Sequence, residues 1–221
     1  MPASHQPDPL FPAADSFSFH RDVEGRLRIA APSGKEPVAA WLMGDVQENL
    51  AGADRFSGYL DEARHASAVE DRRVDGNACT VVVSQDTSFL ISQYDLWEPL
   101  ILPRAELEAA FDLFRTYLVE ELEAGWRSPE RTSGCYRATV GWQDEETGEW
   151  QDRPITDHTF FPDEWTTEQV TETVLEAGRS PSMAVDVTTG AWSSIAGGLH
   201  IFGYLDKQSG RPLTAFPVID A

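Results

Sequence analysis

One stretch of this sequence can bury its apolar residues only as a helix packed on another layer. Between residues 107 and 122, large apolar residues recur at steps of three or four, which places them on one helical face. Pro103 precedes the stretch and Gly125 follows it, an asymmetry typical of helix ends. The apolar residues are Leu107, Phe111, Phe114, Leu118 and Leu122. Such a helix must cover another element, so the sequence predicts at least two layers.

The sequence before this helix predicts a sheet for it to cover. Short runs of alternating or β-branched residues, typical of strands, are separated by turn residues such as Ser33-Gly34. Asp45 is a predicted N-cap for a helix that extends toward His65 in one or two pieces, with a break near Gly52 if there are two. The predicted strands are residues 16–20, 26–31, 37–43, 78–84, 88–94 and 100–102.

The second half predicts the same two layers in a different order. Thr166 and Gln169 have capping-box spacing at the start of a helix that Gly178 can end. Two hairpins flank this helix, the first around the turn sequence DEETG. Their predicted strands are residues 135–143 with 149–153, and 198–206 with 211–219.

The predicted fold class is therefore α+β, with two small domains that are each an antiparallel sheet with packed helices. A polar segment rich in Gly, Pro and Ser, GWRSPERTSG, marks the boundary between them. The expected divisions are a disordered lead at 1–15, a first domain at 16–125, a linker at 126–134 and a second domain at 135–221.

The charge of the chain restricts its partners more than any other bulk property. Its 37 Asp and Glu against 17 Lys and Arg give a formal net charge of -20, spread over both halves. Such a surface repels nucleic-acid phosphates, which proteins bind through Lys and Arg, so direct nucleic-acid binding is not expected. It favours a basic protein partner. The partner-binding candidates are Glu120, Glu121, Glu123, Asp144, Glu145 and Glu146.

Neither a membrane anchor nor a cofactor is expected. No apolar run approaches the roughly 18 residues of a membrane span, and the first residues lack the pattern of a secretory signal, so a cytoplasmic location is expected. Cys79 and Cys135 are too few for a disulfide framework, and the five histidines have no HxxxH or HxH spacing, so no metal is expected either.

The densest motif is HTFFPDEW, residues 158–165, where aromatic residues flank Pro162 and two acids precede a predicted helix. Its spacing favours an aromatic staple that joins a strand to a helix, and the alternative is an anchor that fixes a catalytic lobe. The sequence contains no G-x-S-x-G nucleophile elbow and no phosphate-binding loop.

Three segments of the first half carry a family resemblance, namely FSFHRDVEGRLRI, GKEPVAAWLMGDVQENLA and AELEAAFDLFRTYLVEE. The matching positions within them are Arg21-Asp22, Gly25, Trp41 and Glu48-Asn49. On these segments, residues 17–122 resemble the YacL-like family of small bacterial proteins. That family brings no established activity, so this resemblance implies a fold and no chemistry.

Three segments of the second half carry another resemblance, namely CYRATVGWQDEETGEWQ, HTFFPDEWTTEQVTETVLEA and GGLHIFGYLDKQSGRPLTAFPV. On them, residues 135–218 resemble the closing part of bacterial EndoU-type nuclease domains from polymorphic toxins. The resemblance implies RNA cleavage by attack of a 2′-hydroxyl. It also implies two acid–base histidines, a lysine, a Ser or Thr, and a Tyr.

The departures from that pattern predict a nuclease-like fold without nuclease chemistry. The lobe that would supply both histidines is replaced by the YacL-like half. No lysine lies between Lys35 and Lys207, and the expected Tyr of a closing TAYP is Phe216. Losing acid–base groups removes about 10²–10⁴-fold in rate for each. We therefore expect no catalytic residues; if the chain is active, the candidates are His158, Thr159, His200 and Thr214.

Three functions remain open on the sequence. The first is a cytoplasmic immunity or antitoxin-type protein that binds a basic nuclease toxin through acidic residues. The second is an active EndoU-type endoribonuclease, as a toxin or a housekeeping enzyme. The third is a scaffold protein without a toxin partner.

Overall fold

The computed structural model confirms the predicted α+β fold class. The described part of the chain contains four α-helices and several small, mostly antiparallel sheets. None of those helices combines the length and the hydropathy that a membrane span requires. The described residues are 9–22, 25, 27–48, 50–65, 72–124, 134–140 and 155–219.

The first sheet contains the predicted hairpin of residues 16–31 and one additional strand. Its strands are β1 (Ala13–Ala14), β2 (Ser18–Arg21) and β3 (Leu27–Pro32). β2 and β3 pair antiparallel as predicted, and β1 adds to the other edge of β3 in parallel. Residues 9–15 of the predicted lead thus contribute to the fold, with Leu10 and Phe11 buried. Residues 1–8 lie outside the described residues.

The strand predicted at residues 37–43 is wrong, because the chain there is helical. Helix α1 (Glu36–Trp41) continues into a π-helical turn, Leu42–Val46. Pro37 lies in the first turn, where its missing N–H costs nothing. Residues 37 to 44 are all buried and contain no polar side chain, so the run is apolar on all sides and shows no helical period. Periodicity cannot separate a buried helix from a buried strand in such a run.

A four-stranded antiparallel meander and two helices complete the first half. They are helix α2 (Leu50–His65), strands β4 (Arg72–Asp75), β5 (Cys79–Val83), β6 (Thr87–Ser92) and β7 (Leu100–Pro103), and helix α3 (Arg104–Glu123). α3 packs on β6, β7 and α2, and it buries all of its predicted apolar face except Leu122, which is 50% exposed. α2 continues through Gly52, so the alternative of two pieces with a break there is wrong, and β4 was not predicted.

The second half begins with a two-stranded sheet and one helix. These elements are β8 (Tyr136–Val140), β9 (Ile155–Phe160) and α4 (Thr167–Arg179). β8 confirms the first strand of the predicted hairpin and pairs antiparallel with β9. The DEETG turn and the partner strand predicted at 149–153 lie outside the described residues. Gly178 lies inside α4, so its predicted role as the helix terminator is wrong by two residues.

The chain ends in a four-stranded antiparallel sheet. Its strands are β10 (Ala184–Val185), β11 (Ala191–Ala196), β12 (Leu199–Leu205) and β13 (Pro212–Pro217), in sequence order. The pairing of β12 with β13 confirms the predicted closing hairpin, whereas β10 and β11 were not predicted. α4 packs on β11 and covers one part of this sheet.

Among the described residues, the larger of two hydrophobic clusters contains residues from both halves of the chain. Trp41 and Phe202 are fully buried in it, although they lie on opposite sides of the predicted linker. The rings of Tyr94 and Tyr204 meet across the same contact, with centroids 5.3 Å apart. The two halves therefore pack on each other through a common core. Most of the linker predicted at 126–134 lies outside the described residues, and the division into two domains stays a prediction.

The capping box at the start of α4 is present as predicted. The Thr166 hydroxyl accepts from the Gln169 backbone N–H at 3.2 Å, and the Gln169 side chain accepts from the Thr166 N–H at 2.8 Å. We expect Thr166→Ala to lower the free energy of unfolding by about 1 kcal/mol, because it leaves a helix-end donor without its acceptor. Urea denaturation checks this value. Thr166→Ser is the control and should stay within roughly 0.5 kcal/mol of the parent.

Candidate functional site

A row of hydrogen-bonded polar side chains lies inside the contact between the two halves. The Ser193 hydroxyl lies 2.6 Å from Nε2 of His200, and Nδ1 of the same ring lies 2.8 Å from Oε1 of Glu48. Ser193 and His200 meet because β11 and β12 pair antiparallel and place them on one face as diagonal neighbours. We call this row, with its continuation through Arg21 to Glu121, the buried network.

The buried network continues from Glu48 toward the end of α3. Oε2 of Glu48 pairs with Nη1 of Arg21, whose Nε donates to Oε2 of Glu121 at 2.8 Å. Burial lowers the pKa of Arg21, but the ion pairs with Glu48 and Glu121 outweigh burial and leave that pKa raised. The Arg21 guanidinium therefore stays charged. The buried Glu48 carboxylate needs this opposite charge, because an uncompensated buried charge is strongly destabilising.

The geometry of this network indicates a structural role. A hydroxyl, an imidazole and a carboxylate stand in the order of a nucleophilic triad. A triad must touch its substrate, yet Ser193 is 2% exposed, His200 1% and Glu48 5%. Both ring nitrogens of His200 already have protein partners, so the ring has no nitrogen available to an external group. The network fastens β11 and β12 to the first half.

The two threonine candidates are held in separate hydrogen bonds. The buried Thr159 hydroxyl donates to the carbonyl of Pro217 at 2.7 Å, which fixes β9 against β13. The Thr214 hydroxyl accepts from the Tyr94 hydroxyl at 3.4 Å, across the contact between the halves. Thr159, Thr214 and His200 thus lie on neighbouring strands, but each hydroxyl or ring bonds a different partner. The arrangement offers no paired acid and base among these three.

His158 belongs to the aromatic end of β8 and β9. It is half-buried, pairs in register with Ala138, and its ring centroid lies 6.4 Å from that of Phe160. Phe161 and Trp165 stack at 6.0 Å across the Pro162 turn. The motif therefore joins a strand to a helix, as the favoured interpretation predicted.

The segment 45–48 carries buried polar groups whose role the sequence did not reveal. Asp45 caps no helix; its carboxylate accepts from the backbone N–H groups of Ala78 at 2.7 Å and Cys79 at 3.2 Å. Burial raises the pKa of Asp45 to about 7, and those backbone hydrogen bonds oppose the rise only in part. The one sequence signal was the position of the polar residues Asp45, Gln47 and Glu48 directly after a fully apolar run.

Gln47 joins the same segment to the second half. Its side-chain oxygen accepts from Arg137 Nη2 at 2.6 Å and from the Ile219 N–H at 3.0 Å. Its φ of 67° lies in the left-handed region, which is uncommon outside glycine, so local contacts hold the backbone in this bend. Together with Glu48, this residue makes the bend a polar link between the halves.

The acidic candidates for partner binding fall into three groups. Glu120 and Glu123 are exposed near the end of α3. Glu121 faces inward and is occupied by Arg21. The candidates Asp144, Glu145 and Glu146 lie outside the described residues. Of the six, the two exposed glutamates on α3 are the described ones placed to meet a partner.

No group of three or more His, Cys, Asp or Glu side chains within the described ranges could hold a metal ion. Neither Cys79 nor Cys135 forms a disulfide. Burial and the neighbouring Asp45 raise the pKa of the Cys79 thiol well above its usual value, so this thiol is a poor nucleophile.

The comparisons with known proteins concern the second half of the chain. Residues 111–219 match the family model described as Bacterial EndoU nuclease. Searches of curated proteins and of solved structures found no match. The matched segment begins inside α3 and spans every element from β8 to β13. The YacL-like resemblance of the first half stays a prediction, and residues 111–219 are similar to bacterial EndoU nucleases.

Proposed function

We propose that this chain is a non-catalytic binding protein of immunity or antitoxin type, which neutralises a basic nuclease toxin in the cytoplasm. The observation that carries the proposal is the state of His200. It is 1% exposed and held between Ser193 and Glu48, so the histidine of the EndoU-like strands supports structure instead of RNA chemistry.

The charge of the chain supports a basic protein as the partner. The net charge of -20 attracts a cationic surface and repels RNA. The exposed Glu120 and Glu123 extend from the end of α3, where Lys and Arg of a toxin could reach them. Charges of this kind raise association rates and set specificity more than they raise affinity. A toxin whose RNA-binding cleft is positive would be covered by such a surface.

The test is inhibition of an EndoU-type toxin nuclease domain by the full chain. We expect equimolar chain to suppress cleavage of uridine-containing RNA and to co-elute with the toxin in size-exclusion chromatography. The double variant Glu120→Gln/Glu123→Gln should slow association about threefold to tenfold at low salt, with little difference at high salt. The matched control is Asp86→Asn/Glu98→Gln, which removes the same charge from other exposed positions. Absence of complex and of inhibition with such domains would overturn the proposal.

The second candidate is an EndoU-type endoribonuclease, favoured by the family match over residues 111–219. It predicts that the purified chain alone cleaves uridine-containing RNA, and that His158→Ala abolishes cleavage. That result would replace the binding function, since His158 is the candidate histidine that is not enclosed in the buried network. If neither cleavage nor a toxin complex is found, a scaffold function is the remaining proposal.

A further inference from the structure

A shallow cleft lies where β8, β9 and the start of α4 meet, and its walls are aromatic. It has a volume of about 320 Å³ and is lined by Tyr136, Phe160, Phe161 and Trp165, with Asp163 at its edge. This volume lies at the lower end of about 300–1,000 Å³, the usual range for small-molecule sites, and suits a single side chain. We call it the aromatic cleft.

The aromatic rings of the cleft form two stacked pairs, and all four residues are partly exposed. Tyr136 and Phe160 stack at 5.2 Å with planes 17° apart, because they are opposite each other in the β8–β9 register. Phe161 and Trp165 stack at 6.0 Å with planes 23° apart. Tyr136 is 38% exposed and the other three rings are half-buried. Such rings can bind a cation through their negative faces.

The edge of the aromatic cleft is negative. Asp163 lines the cleft, Glu164 and Glu168 are exposed within five residues of it in the sequence, and positions 163 to 168 contain no basic residue. The Asp163 carboxylate raises the pKa of the Tyr136 hydroxyl, which shows that this carboxylate lies close to the Tyr136 side chain, and both residues line the cleft. The site therefore combines aromatic faces with carboxylates, which is the chemistry that recognises a guanidinium or ammonium group.

The start of α4 does not offset this preference for cations. A helix N-terminus can attract anions through its free N–H groups. Here the capping box uses the Gln169 N–H and the Thr166 N–H, and carboxylates already occupy the first turn and the turn before it. A phosphate placed at this edge would face the carboxylate of Asp163.

We propose that the aromatic cleft binds an arginine side chain of the chain's protein partner. The identity of that partner as a basic nuclease rests on the proposed function. The choice of arginine as the occupant rests on the complementarity between its positive charge and the acidic edge of the cleft. Arginine suits the site because its planar guanidinium stacks on aromatic rings while it donates to carboxylates. An RNA base stacked between the rings is the competing occupant, and the acidic edge disfavours its phosphates.

The test uses the full chain and three probes: the peptide Gly-Arg-Gly-Arg-Gly, the same peptide with citrulline for arginine, and the trinucleotide UUU. Binding is followed through the NMR signal of the Trp165 indole N–H, assigned with Trp165→Phe. We expect the arginine peptide to shift this signal and citrulline to weaken binding about threefold to tenfold. Tyr136→Leu and Asp163→Asn should each weaken it by a similar factor. The matched control is Glu172→Gln, which removes one exposed charge farther along α4 and should leave binding within twofold.

The proposal would be overturned if the citrulline peptide bound as tightly as the arginine peptide, or if Asp163→Asn and Glu172→Gln lost the same amount of binding. It would also be overturned if UUU were the only probe that shifted the Trp165 signal.

The cleft proposal and the immunity proposal can fail separately. If a toxin domain binds but Tyr136→Leu and Asp163→Asn bind it as tightly as the parent, the cleft proposal fails and the immunity function stands. If the arginine peptide binds but no toxin does, the cleft recognises arginine and the immunity function fails.

Discussion

Replacement of Glu48 by glutamine is expected to lower the free energy of unfolding by about 3 kcal/mol at pH 7, as measured by urea denaturation. Its carboxylate is buried between Arg21 and His200, and glutamine keeps its shape while removing its charge. Breaking a buried ion pair by changing one partner usually costs about 3–5 kcal/mol, because the other charge stays buried without compensation. The lower end applies here, since Arg21 keeps its second partner, Glu121.

A double-mutant cycle separates this effect from a change in packing. If the cost comes from an uncompensated guanidinium, then Arg21→Met/Glu48→Gln should be less destabilised than the sum of its single variants, by about 1 kcal/mol or more. Glu120→Gln is the control, because it removes an exposed carboxylate one residue before Glu121 and should change stability by less than roughly 0.5 kcal/mol. A loss below about 1 kcal/mol for Glu48→Gln, or additive single effects, would contradict the role assigned to the network.

The same variant distinguishes a structural network from a catalytic one. If the chain cleaves RNA and Glu48→Gln removes cleavage without a loss of stability, then Glu48 orients His200 for chemistry. The structure supports the opposite result, because the imidazole is enclosed, with Nε2 beside the Ser193 hydroxyl and Nδ1 beside the Glu48 carboxylate.

The sequence predicted elements that have one face toward the core and another toward solvent, or that depend on short-range motifs. α3 could be predicted because Phe111 and Phe114 face the core while Asp112 and Thr116 face solvent. The start of α4 could be predicted because a capping box is a local motif whose partners are three residues apart. The β12–β13 hairpin likewise depends on nearby residues.

The rest could not be predicted because its causes are distant in sequence. α1 is buried on every side, which erases the period that distinguishes a helix from a strand. The partners of Glu48 are 27 and 152 positions away, at Arg21 and His200, and no local pattern indicates such contacts. His200 itself was a candidate on sequence, and only its burial shows which role it suits.

The free energy of unfolding is expected to fall by about 2–3 kcal/mol between pH 5 and pH 8 through Asp45 alone. Burial raises the pKa of Asp45 to about 7 in the folded chain, against about 3.9 for an unfolded Asp. At a pH between these two pKa values, Asp45 is protonated in the folded state and ionised in the unfolded state. The stabilising contribution is therefore complete below about pH 4 and is lost as the pH rises through 7.

The surroundings of Asp45 explain why its ionised form is costly. The Asp45 carboxyl is fully buried. A Cβ placed on Gly76 would lie 2.4 Å from Cγ of Asp45, so the backbone of Gly76 occupies the space where water would solvate the carboxylate. Two backbone donors, on Ala78 and Cys79, are a partial replacement for water. Burial also raises the pKa of Cys79 and of Tyr204 above the usual values, so both groups stay neutral up to pH 8.

Asp45→Asn isolates this contribution, because asparagine resembles the neutral carboxyl group and does not titrate. Burial also raises the pKa of Asp186, so the slope of the parent alone has more than one source. The difference in unfolding free energy between Asp45→Asn and the parent should shift by about 2–3 kcal/mol in favour of the variant from pH 5 to pH 8. A difference that does not change with pH would mean that the two backbone donors hold Asp45 ionised throughout, and that burial at this bend does not control its titration.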